Sequence, residues 1–411
     1  MNFRLNELEN LLVFRGILQD PLLQVLFSDV SEAQKVSALI KKAEEASLEG
    51  NVLSEWILRL IAEDENSFSM MAEKSAGNLG FSLQQAVLHD LDILRQFFLN
   101  NTALIEPGSL LADYQPTCRK HRSYLEPLRH ALLPHSTSSH LAELALSTLT
   151  GHYVRHGYGD MARYTVFRWD NETGLVPVRY PDLIQLDDLV GYERQKAVLT
   201  QNTAAFVSGK PANNVLLVGS RGTGKSSSVK ALLNQYAKQG LRLVEITKQD
   251  LKHLASIMQV LRERGKKFIL FMDDLSFEEF EVEYRHLKSM MEGGVETKPE
   301  NVLIYATSNR RHLVKETWSD RAGANSDDIH SWDTVNEKIS LSDRFGITLT
   351  FAPPNQEEYL RIVESIAHKR RIKMATAELR AEAIKWETAH SGRSGRIAQQ
   401  FIAHLEGKES A

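Results

Sequence analysis

A glycine-rich segment in the second half of the chain carries the residues best suited to chemistry. Residues 219–227, GSRGTGKSS, follow the apolar run VLLV at 215–218 and match the pattern G-x-x-x-x-G-K-[ST]. Glycines let successive backbone N–H groups turn inward, and a following helix adds the positive end of its dipole. The segment predicts a polyphosphate site in which Lys225 contacts the β- and γ-phosphates and Ser226 is a ligand of Mg²⁺. The predicted phosphate-binding residues are Gly219, Ser220, Arg221, Gly222, Thr223, Gly224, Lys225, Ser226 and Ser227.

Two carboxylates at the end of an apolar run form the second candidate group. The run FILFM at 268–272 is followed directly by Asp273 and Asp274. A buried strand that ends in carboxylates can place negative charge beside a metal bound to phosphate. We expect Asp273 to hold Mg²⁺ through water and Asp274 to orient or deprotonate the attacking water, as the catalytic carboxylate. Acidic pairs also cap helices after strands, so the phosphate loop upstream is what favours the catalytic interpretation.

A third apolar run ends in small polar side chains. The segment VLIYATSN at 302–309 is an apolar strand that terminates in Thr307, Ser308 and Asn309. Asn309 is therefore a candidate for contact with the γ-phosphate and the attacking water. A plain strand-end turn is the alternative, because serine and asparagine are ordinary turn residues.

These segments belong to a series of short apolar runs with helix-compatible stretches between the first four. The runs lie at residues 215–218, 241–246, 268–272, 302–306 and 347–351. Such alternation is typical of a parallel sheet flanked by helices. The sequence therefore predicts an α/β fold of the P-loop NTPase type with a five-stranded parallel sheet.

Changes in composition divide the chain into four predicted parts. Residues 1–150 are rich in Leu, Glu, Gln and Ala at helical spacing, which predicts a mainly α-helical N-terminal domain. Residues 151–185 are richer in glycine, aromatic and β-branched residues, which indicates an irregular or β-containing connector. Residues 186–353 hold the predicted α/β domain. Residues 354–411 contain three helical stretches and predict a small helical lid.

The order of the motifs resembles that of AAA+ ATPases, in which the phosphate loop and the acidic strand end are the Walker A and Walker B motifs. The other segments that carry the resemblance are DLVGYE at 188–193, TSN at 307–309, LSDRFG at 341–346 and the predicted lid. In wording, DDLSFE at 273–278, ATSNRRHL at 306–313 and EKISLSDRFG at 337–346 resemble an uncharacterised bacterial family of AAA+ ATP-binding proteins. The resemblance is firmest over residues 186–402.

This resemblance implies ATP and Mg²⁺ as ligands and adds further site residues. Val190 and Gly191 would form part of the adenine pocket. Arg344 matches the arginine finger, which in AAA+ rings reaches the γ-phosphate held by a neighbouring subunit, so a homo-oligomer is implied. Arg396 in SGRSGRIA resembles the second sensor and would contact the nucleotide of its own subunit, with Arg393 as the competing choice.

Two departures from the AAA+ pattern affect these expectations. Most AAA+ members have Asp-Glu at the acidic strand end, whereas here the second carboxylate is Asp274, which is one methylene shorter. Hydrolysis is then expected to be slow, or to be helped by Glu278 or Glu279. The polar, acidic segment 318–337 is the second departure, and it is a candidate subunit-interface or partner loop as well as a candidate solvated loop.

Composition limits the partners and the compartment. The 411 residues have a formal net charge of −4, so no global positive field indicates nucleic acid or an anionic membrane. Nucleic acid stays possible through the basic stretches at 119–122 and 369–373, although no aromatic platform is interleaved with them. The single cysteine, Cys118, excludes an internal disulfide and is expected to be a buried thiol in a reducing compartment. The absence of a signal-like N-terminus and of long apolar runs predicts a cytoplasmic protein without a membrane span.

Three functions remain open from the sequence. The favoured one is an ATP-hydrolysing machine that assembles with its own copies and remodels an unknown protein client through the N-terminal domain. A threading unfoldase is disfavoured, because residues 247–260 lack the aromatic–apolar–glycine loop of that group. The alternatives are a nucleotide switch with little turnover, and a nucleic-acid loader or motor, since LSDRFG also resembles a segment of the Holliday-junction helicase motor. The sequence does not decide between ATP and GTP.

Overall fold

The chain forms two compact units. The computed structural model describes residues 5–104, 110–119, 124–133, 141–277, 282–292, 298–309, 342–390 and 392–409. The helical unit comprises Met1–Tyr164 and Glu263–Lys266, and the α/β unit comprises Thr165–Arg262 and Lys267–Ala411. The chain thus leaves the α/β unit after Arg262 and enters it again at Lys267.

The helical unit is built from amphipathic helices around one apolar core. Two short 3₁₀ segments, Leu5–Asn10 and Phe14–Gln19, precede the first α-helix. The α-helices are α1 (Pro21–Phe27), α2 (Glu32–Ala46), α3 (Val52–Glu63), α4 (Ser67–Lys74), α5 (Phe81–Leu104), α6 (Glu126–Leu132), α7 (Leu141–His156) and α8 (Asp160–Arg163). Residues such as Leu53, Ile57, Phe68 and Tyr153 form the core.

Helix α3 is buried on nearly all sides, so its polar residues need partners inside the unit. Glu55 accepts two hydrogen bonds from the Arg129 guanidinium at 2.6 and 2.7 Å. Arg59 donates to Glu63 at 3.0 Å on the same helix. Paired charges of this kind are tolerated in a core because each leaves water together with its counter-ion.

The α/β unit is organised around a seven-stranded sheet. The strands are β1 (Val166–Asp170), β2 (Gly174–Pro177), β3 (Val215–Gly219), β4 (Leu241–Ile246), β5 (Lys267–Met272), β6 (Val302–Ser308) and β7 (Ile347–Phe351). Their order is β2-β1-β4-β5-β6-β3-β7, and β1–β2 is the one antiparallel pair among them. Strands β3, β5 and β6 are buried along almost their whole length, as expected for parallel strands covered on both faces.

The five strands predicted from apolar runs are β3 to β7, which confirms the α/β fold class. The sheet is larger than predicted, because β1 and β2 extend it from within the region 151–185. Both added strands are short and only partly buried. A half-exposed strand of four or five residues carries no continuous apolar run, which is why the apolar pattern missed them.

Helices surround the sheet and form the predicted lid. Helices α9 (Glu193–Val207), α10 (Lys225–Tyr236), α11 (Leu254–Arg262) and α12 (Val282–Glu292) lie between the strands in the chain. Helices α13 (Gln356–Lys369), α14 (Thr376–Ala389) and α15 (Gly395–Glu409) follow β7 and share a core of their own, which includes Tyr359, Val363 and Phe401. The prediction of a three-helix lid is thus confirmed.

Cys118 is exposed, so the prediction of a buried thiol is wrong. It lies in a non-helical segment between exposed neighbours, where the backbone follows the surface and gives a small side chain no core to enter. Within the described ranges, no helix has the length and apolar character needed to cross a bilayer.

Candidate active site

The glycine-rich loop joins the end of β3 to the start of α10. Gly219, Gly222 and Gly224 have φ angles of 149°, 76° and 89°, which other residues rarely adopt. Space is also restricted, because a Cβ on Gly219 would lie 2.0 Å from the carbonyl oxygen of Phe351 on β7. Backbone geometry therefore requires these glycines independently of any ligand.

Lys225 holds its ammonium group inside the loop. Its Nζ donates hydrogen bonds to the carbonyl oxygens of Gly219 (2.7 Å) and Ser220 (2.8 Å) and to Oδ1 of Asn309 (3.0 Å). Burial lowers the pKa of Lys225, and the nearby carboxylates of Asp273 and Asp274 act in the opposite direction. The loop thus keeps a cation beside the two strand-end aspartates.

Asp273 links the loop to two strands. Its Oδ1 accepts hydrogen bonds from Ser226 Oγ and from Thr307 Oγ1, each at 2.5 Å. Ser226 lies in the first turn of α10, and Thr307 is a buried residue of β6. A hydroxyl and a carboxylate side by side are oxygen ligands of the kind that Mg²⁺ prefers. Ser226 and Asp273 therefore fit the metal that the sequence predicts.

Asp274 has an unusual backbone and an engaged side chain. Its φ angle is 53°, in the left-handed region that aspartate tolerates better than most residues. Its N–H donates to Thr307 Oγ1 at 2.9 Å, so the same hydroxyl fixes both aspartates. The carboxylate accepts a hydrogen bond from Asn309 Nδ2 and lies 3.7 Å from the Arg221 guanidinium.

These residues lie along one side of a cavity of about 930 Å³. The strand ends and the loop supply its polar part. The other side is formed by the chain segment before α9 and by helices α13 and α15 of the lid. The apolar lining residues are Leu183, Ile184, Leu189, Val190, Ile362 and Ile366, and the further lining cations are Lys196, Lys230, Lys369 and Arg370.

The segment before α9 is fixed by hydrogen bonds from three sides. Asn234 on α10 donates to the carbonyl oxygen of Ile184 at 2.7 Å. Lys369 at the end of α13 donates to Asp188 Oδ1 at 2.6 Å, and this contact lowers the pKa of the Asp188 carboxyl. Lys196 on α9 donates to the carbonyl oxygen of Leu189 at 2.8 Å. The chain segment at the apolar end of the cavity is therefore held in place by these hydrogen bonds.

The lid reaches the loop through the start of α15. The N–H of Gly395 donates to the carbonyl oxygen of Gly222 at 3.1 Å. A Cβ on Gly222 would lie 2.8 Å from Ser394 Oγ, so the loop and lid approach each other closely. Arg396 follows directly and lines the cavity. Arg393, the competing residue, instead pairs with Glu387 at 2.5 Å.

The structure brings together most of the predicted site residues. The cavity lining includes Val190, Arg221, Gly222, Thr223, Gly224, Lys225, Ser226, Ser227, Asp273, Asp274, Asn309 and Arg396. Four predicted residues, all described, are not part of that lining: Gly191, Gly219, Ser220 and Arg344. Glu278, Glu279 and the segment 318–337 lie outside the described residues.

Sequence reasoning missed several lining residues. Thr307 was visible as a small polar residue at a strand end, but no pattern showed that its hydroxyl would contact both aspartates. Lys369 stood in a basic stretch, and Ile362 and Ile366 stood in the apolar stripe of a lid helix. These residues line the cavity only because of the way the lid packs against the rest of the α/β unit, and no local pattern in the sequence shows that packing.

The strand order and the position of the glycine-rich loop are those of the AAA+ P-loop fold. The phosphate-loop strand β3 lies between β6 and β7, the acidic strand end belongs to β5, and a helical lid is hydrogen-bonded to the loop. Residues 162–409 match the family described as a protein of unknown function, DUF815, and the chain belongs to that family.

Comparison with solved structures gives similarities that cover a little over half of this chain. The Thermotoga maritima RuvB Holliday junction branch migration motor is 21% identical, with 53% of this chain and 63% of that chain covered and a TM-score of 0.35. The FIGL-1 AAA domain in complex with ADP is 20% identical, with 56% and 74% covered and a TM-score of 0.38. The chain thus spans less than two thirds of the RuvB chain. A comparison with curated proteins finds no match.

Proposed function

We propose that this protein binds Mg²⁺–ATP and hydrolyses it to ADP and phosphate. The observation that supports the proposal most directly is the chain of hydrogen bonds Lys225–Asn309–Asp274, next to the cluster of Ser226 and Asp273. Together these groups supply a cation for the phosphates, oxygens for a divalent metal and a carboxylate for the attacking water. Phosphoryl transfer needs little else from a protein, because its catalysis is mostly positioning and electrostatic stabilisation.

The cavity suits a nucleotide along its length. The triphosphate would lie on the loop, against Lys225 and within reach of Arg396, at a helix start whose dipole favours anions. The base and sugar would lie toward Val190 and the two isoleucines of α13, Ile362 and Ile366. The preference for adenine over guanine rests on the likeness to AAA+ ATPases.

Ser226 and Asp273 are the residues proposed to hold Mg²⁺. When bound, the ion would neutralise charge that develops on the phosphates during the reaction. Thr307 fixes the Asp273 carboxylate from the side of β6, so this ligand is oriented before the nucleotide arrives.

Asp274 is the proposed base. Water attacks the γ-phosphorus, its proton passes to the Asp274 carboxylate, and the bond between the γ-phosphorus and the bridging oxygen breaks with the electron pair leaving on ADP. Asn309 holds this carboxylate through its amide nitrogen and Lys225 through its amide oxygen. The amide therefore sets the distance between the base and the cation that faces the γ-phosphate.

Arg344 is proposed to act on a neighbouring copy of the chain, because it does not line the cavity of its own copy. A guanidinium supplied across a subunit contact stabilises charge on the transferring phosphoryl group. On this proposal the protein works as a homo-oligomer that remodels an unknown protein client. The single cysteine suits a reducing compartment such as the cytoplasm.

A nucleotide switch is the second candidate. It is favoured by Asp274, whose carboxylate already has two partners, Asn309 and Arg221, and is shorter than the glutamate of most AAA+ members. Such a carboxylate would hold water less well, so that nucleotide binding rather than turnover carries the signal.

Two substitutions test the proposed site. We expect Lys225→Ala to lower affinity for ATP at least 100-fold, since the loop then loses the cation that contacts the phosphates. We expect Asp274→Asn to keep ATP affinity within about threefold and to lower turnover at least 100-fold, because the base is removed while its shape remains. Binding is measured by calorimetry and turnover by phosphate release at saturating Mg²⁺.

Glu382→Gln is the matched control, since it removes a surface carboxylate that pairs with Lys385 on the lid. Wild-type affinity in Lys225→Ala would refute the phosphate site. Unchanged turnover in Asp274→Asn would place the base elsewhere, and negligible turnover in the wild type with intact ATP binding would favour the switch.

A further inference from the structure

Four residues between α11 and β5 belong to the helical unit, although the chain on both sides belongs to the α/β unit. We call Glu263–Lys266 the anchor segment. Neither the glycine-rich loop nor the lid explains why the short connection between α11 and β5 belongs to the helical unit. Its contacts there involve charged side chains that are almost completely buried.

The centre of the anchor segment is a buried ion pair. Nε and Nη2 of Arg264 donate to the two carboxylate oxygens of Glu73 on α4, each at 3.0 Å. The Gly265 N–H donates to the same carboxylate at 2.9 Å. The Glu73 side chain is 1% exposed and the Arg264 side chain 12%. A buried carboxylate with this many donors is fully satisfied, and removing its main donor leaves an uncompensated charge.

The surroundings are shaped to this pair. The Arg264 guanidinium lies over the ring of Tyr158 at 3.6 Å and donates to the Tyr158 carbonyl oxygen at 3.2 Å. A Cβ on Gly265 would lie 2.1 Å from the Glu73 carbonyl oxygen, and a Cβ on Gly157 would lie 2.9 Å from Glu73 Oε2. Both glycines are therefore required by close packing around the pair, and Gly157 and Tyr158 belong to the GYGDMAR sequence at 157–163 that no nucleotide contact explains.

Lys266 completes the anchor segment. It is 2% exposed, and its Nζ donates to the carbonyl oxygen of Val154 at 2.6 Å. Val154 lies in the last turn of α7, where carbonyl groups without helical partners and the negative end of the dipole favour a cation. Arg264 and Lys266 thus bind two different helices of the unit, α4 and α7.

The next residue, Lys267, begins β5. This strand is the fourth of seven in the sheet, it is buried from Phe268 to Met272, and it ends directly before Asp273 and Asp274. Six residues of strand span about 20 Å. A buried strand paired on both sides cannot bend freely, so a shift at its start is carried to its end.

We propose that Arg264 is a positioning residue for ATP hydrolysis, which acts through β5. The helical unit holds the start of β5 by the anchor segment, and the far end of the strand carries the metal ligand and the base. A change in the helical unit, such as the binding of a client, then alters turnover without touching the nucleotide. This regulation rests on the proposed ATPase function. It predicts an effect on turnover with little effect on nucleotide affinity, because β3 is paired with β6 and β7 and the loop is hydrogen-bonded to the lid.

The test uses the full chain with Arg264→Ala and Gly265→Ala. We expect each to lower the maximal rate of ATP turnover at least tenfold, to leave the dissociation constant for ADP within twofold and to speed amide hydrogen exchange in residues 268–272 at least tenfold. Arg119→Ala, which removes a surface arginine of the helical unit, and Gly80→Ala, where a Cβ meets nothing within 4 Å, are the matched controls. Glu73→Gln replaces Arg264→Ala if that variant does not fold, since the amide still accepts hydrogen bonds.

Faster exchange in the helical unit alone, with β5 exchange and turnover at wild-type levels, would overturn the proposal and leave the anchor segment a purely structural joint. An equal loss of turnover and ADP affinity would overturn it too, because the effect would then be a general loss of structure. If the wild type binds ADP but shows no turnover, the ATPase function fails. In that case the amide hydrogen exchange of β5 still tests the anchor segment. An exchange rate in the variants equal to that of the wild type refutes its role, and a rate at least tenfold faster supports it.

Discussion

Single residues at the site adopt backbone conformations that cost free energy. Tyr192 and Asp274 are two of the five non-glycine residues with positive φ in the described chain, and both line the cavity. Each such residue costs on the order of 1–3 kcal/mol and persists only where its surroundings enforce it. Thr307 and Asn309 enforce it for Asp274, and the Tyr192 hydroxyl donates to the carbonyl oxygen of Ala352 at 2.6 Å. Strain of this kind is typical of functional sites.

Gly219 gives a residue-scale prediction on stability. We expect Gly219→Ala to lower the free energy of unfolding of the α/β unit by about 3 kcal/mol more than Gly392→Ala does. Both residues have a positive φ, 149° and 135°, but only at Gly219 would the Cβ meet a backbone atom, the Phe351 oxygen at 2.0 Å. The difference between the two losses of unfolding free energy therefore measures the steric overlap at Gly219 separately from the backbone strain that both variants share. Urea unfolding of the two variants gives this difference.

The β3–β7 pairing decides this outcome, because Gly219 and Phe351 are partners in its register. Moving the Phe351 carbonyl away would break that pairing. Equal losses in the two variants would show that β7 can shift at no cost, and would remove the packing explanation for the first glycine of the loop.

At the scale of elements, the alignment of strand ends creates the site. Strands β5 and β6 are parallel neighbours with Met272 opposite Ala306, so Asp273 and Thr307 follow at the same edge. Strand β3 pairs with β6 on its other side, with Leu217 opposite Thr307, which brings the loop to the same edge. The parallel register of β5, β6 and β3 thus brings the carboxyl ends of these three strands within hydrogen-bond distance of one another.

Helix α7 contains a histidine whose titration affects the helical unit. Burial lowers the pKa of His152 to about 4, and the charge of Lys266 acts in the same direction. Its Nε2 lies 2.9 Å from the carbonyl oxygen of Ala62 on α3. The folded unit therefore keeps this imidazole neutral, whereas the unfolded chain protonates it near its ordinary pKa of about 6.5.

The unfolded state binds more protons than the folded state between these two pKa values, so stability falls as the pH is lowered through them. We expect the helical unit to lose about 3 kcal/mol between roughly pH 6.5 and 4 from this group. His152→Gln removes the titration and flattens this part of the pH profile, measured by hydrogen exchange of α7. The exposed His286→Gln serves as control, and a profile unchanged by His152→Gln would refute the assignment.

For the whole molecule, the open question is whether one chain contains a complete site. Arg344 does not line the cavity of its own copy, and the cations that do line it near the loop are Arg221, Lys225 and Arg396. An arginine finger delivered from a second copy would make turnover depend on assembly.

Mixing variants tests this dependence. Arg344→Ala and Asp274→Asn are each expected to bind ATP and to turn it over at least 100-fold more slowly than the wild type. In a mixture, some contacts pair an intact Asp274 site with an intact Arg344, so activity should recover to a measurable fraction of wild type. Turnover measured against mixing ratio, together with the mass in solution with ADP and with a slowly hydrolysed ATP analogue, shows whether it does. No recovery at any ratio, or a monomer under all conditions, would count against the shared site.

The sequence allowed the five strands β3 to β7, the lid and the candidate residues of the loop to be predicted, because each leaves a local pattern. The glycine and lysine spacing of the loop is set by backbone conformation over eight residues, and the aspartates directly follow an apolar run. The region 151–185 was predicted as an irregular or β-containing connector, but the inclusion of β1 and β2 in the sheet escaped prediction because both strands are short and half exposed. Thr307 and Lys369 escaped because their importance arises from neighbours far away in the chain.

The candidate groups of the site are therefore recognisable from a few adjacent residues each: a glycine-rich loop, a carboxylate pair and a polar strand end. Which of their atoms are in contact follows from the fold. The tertiary structure showed that one Thr307 hydroxyl contacts both aspartates, that Arg396 rather than Arg393 lines the cavity, and that Arg264 is buried against Glu73, 191 positions away in the chain. The physical reason is that side-chain contacts across a sheet or a core depend on strand order and register, which no short stretch of sequence specifies.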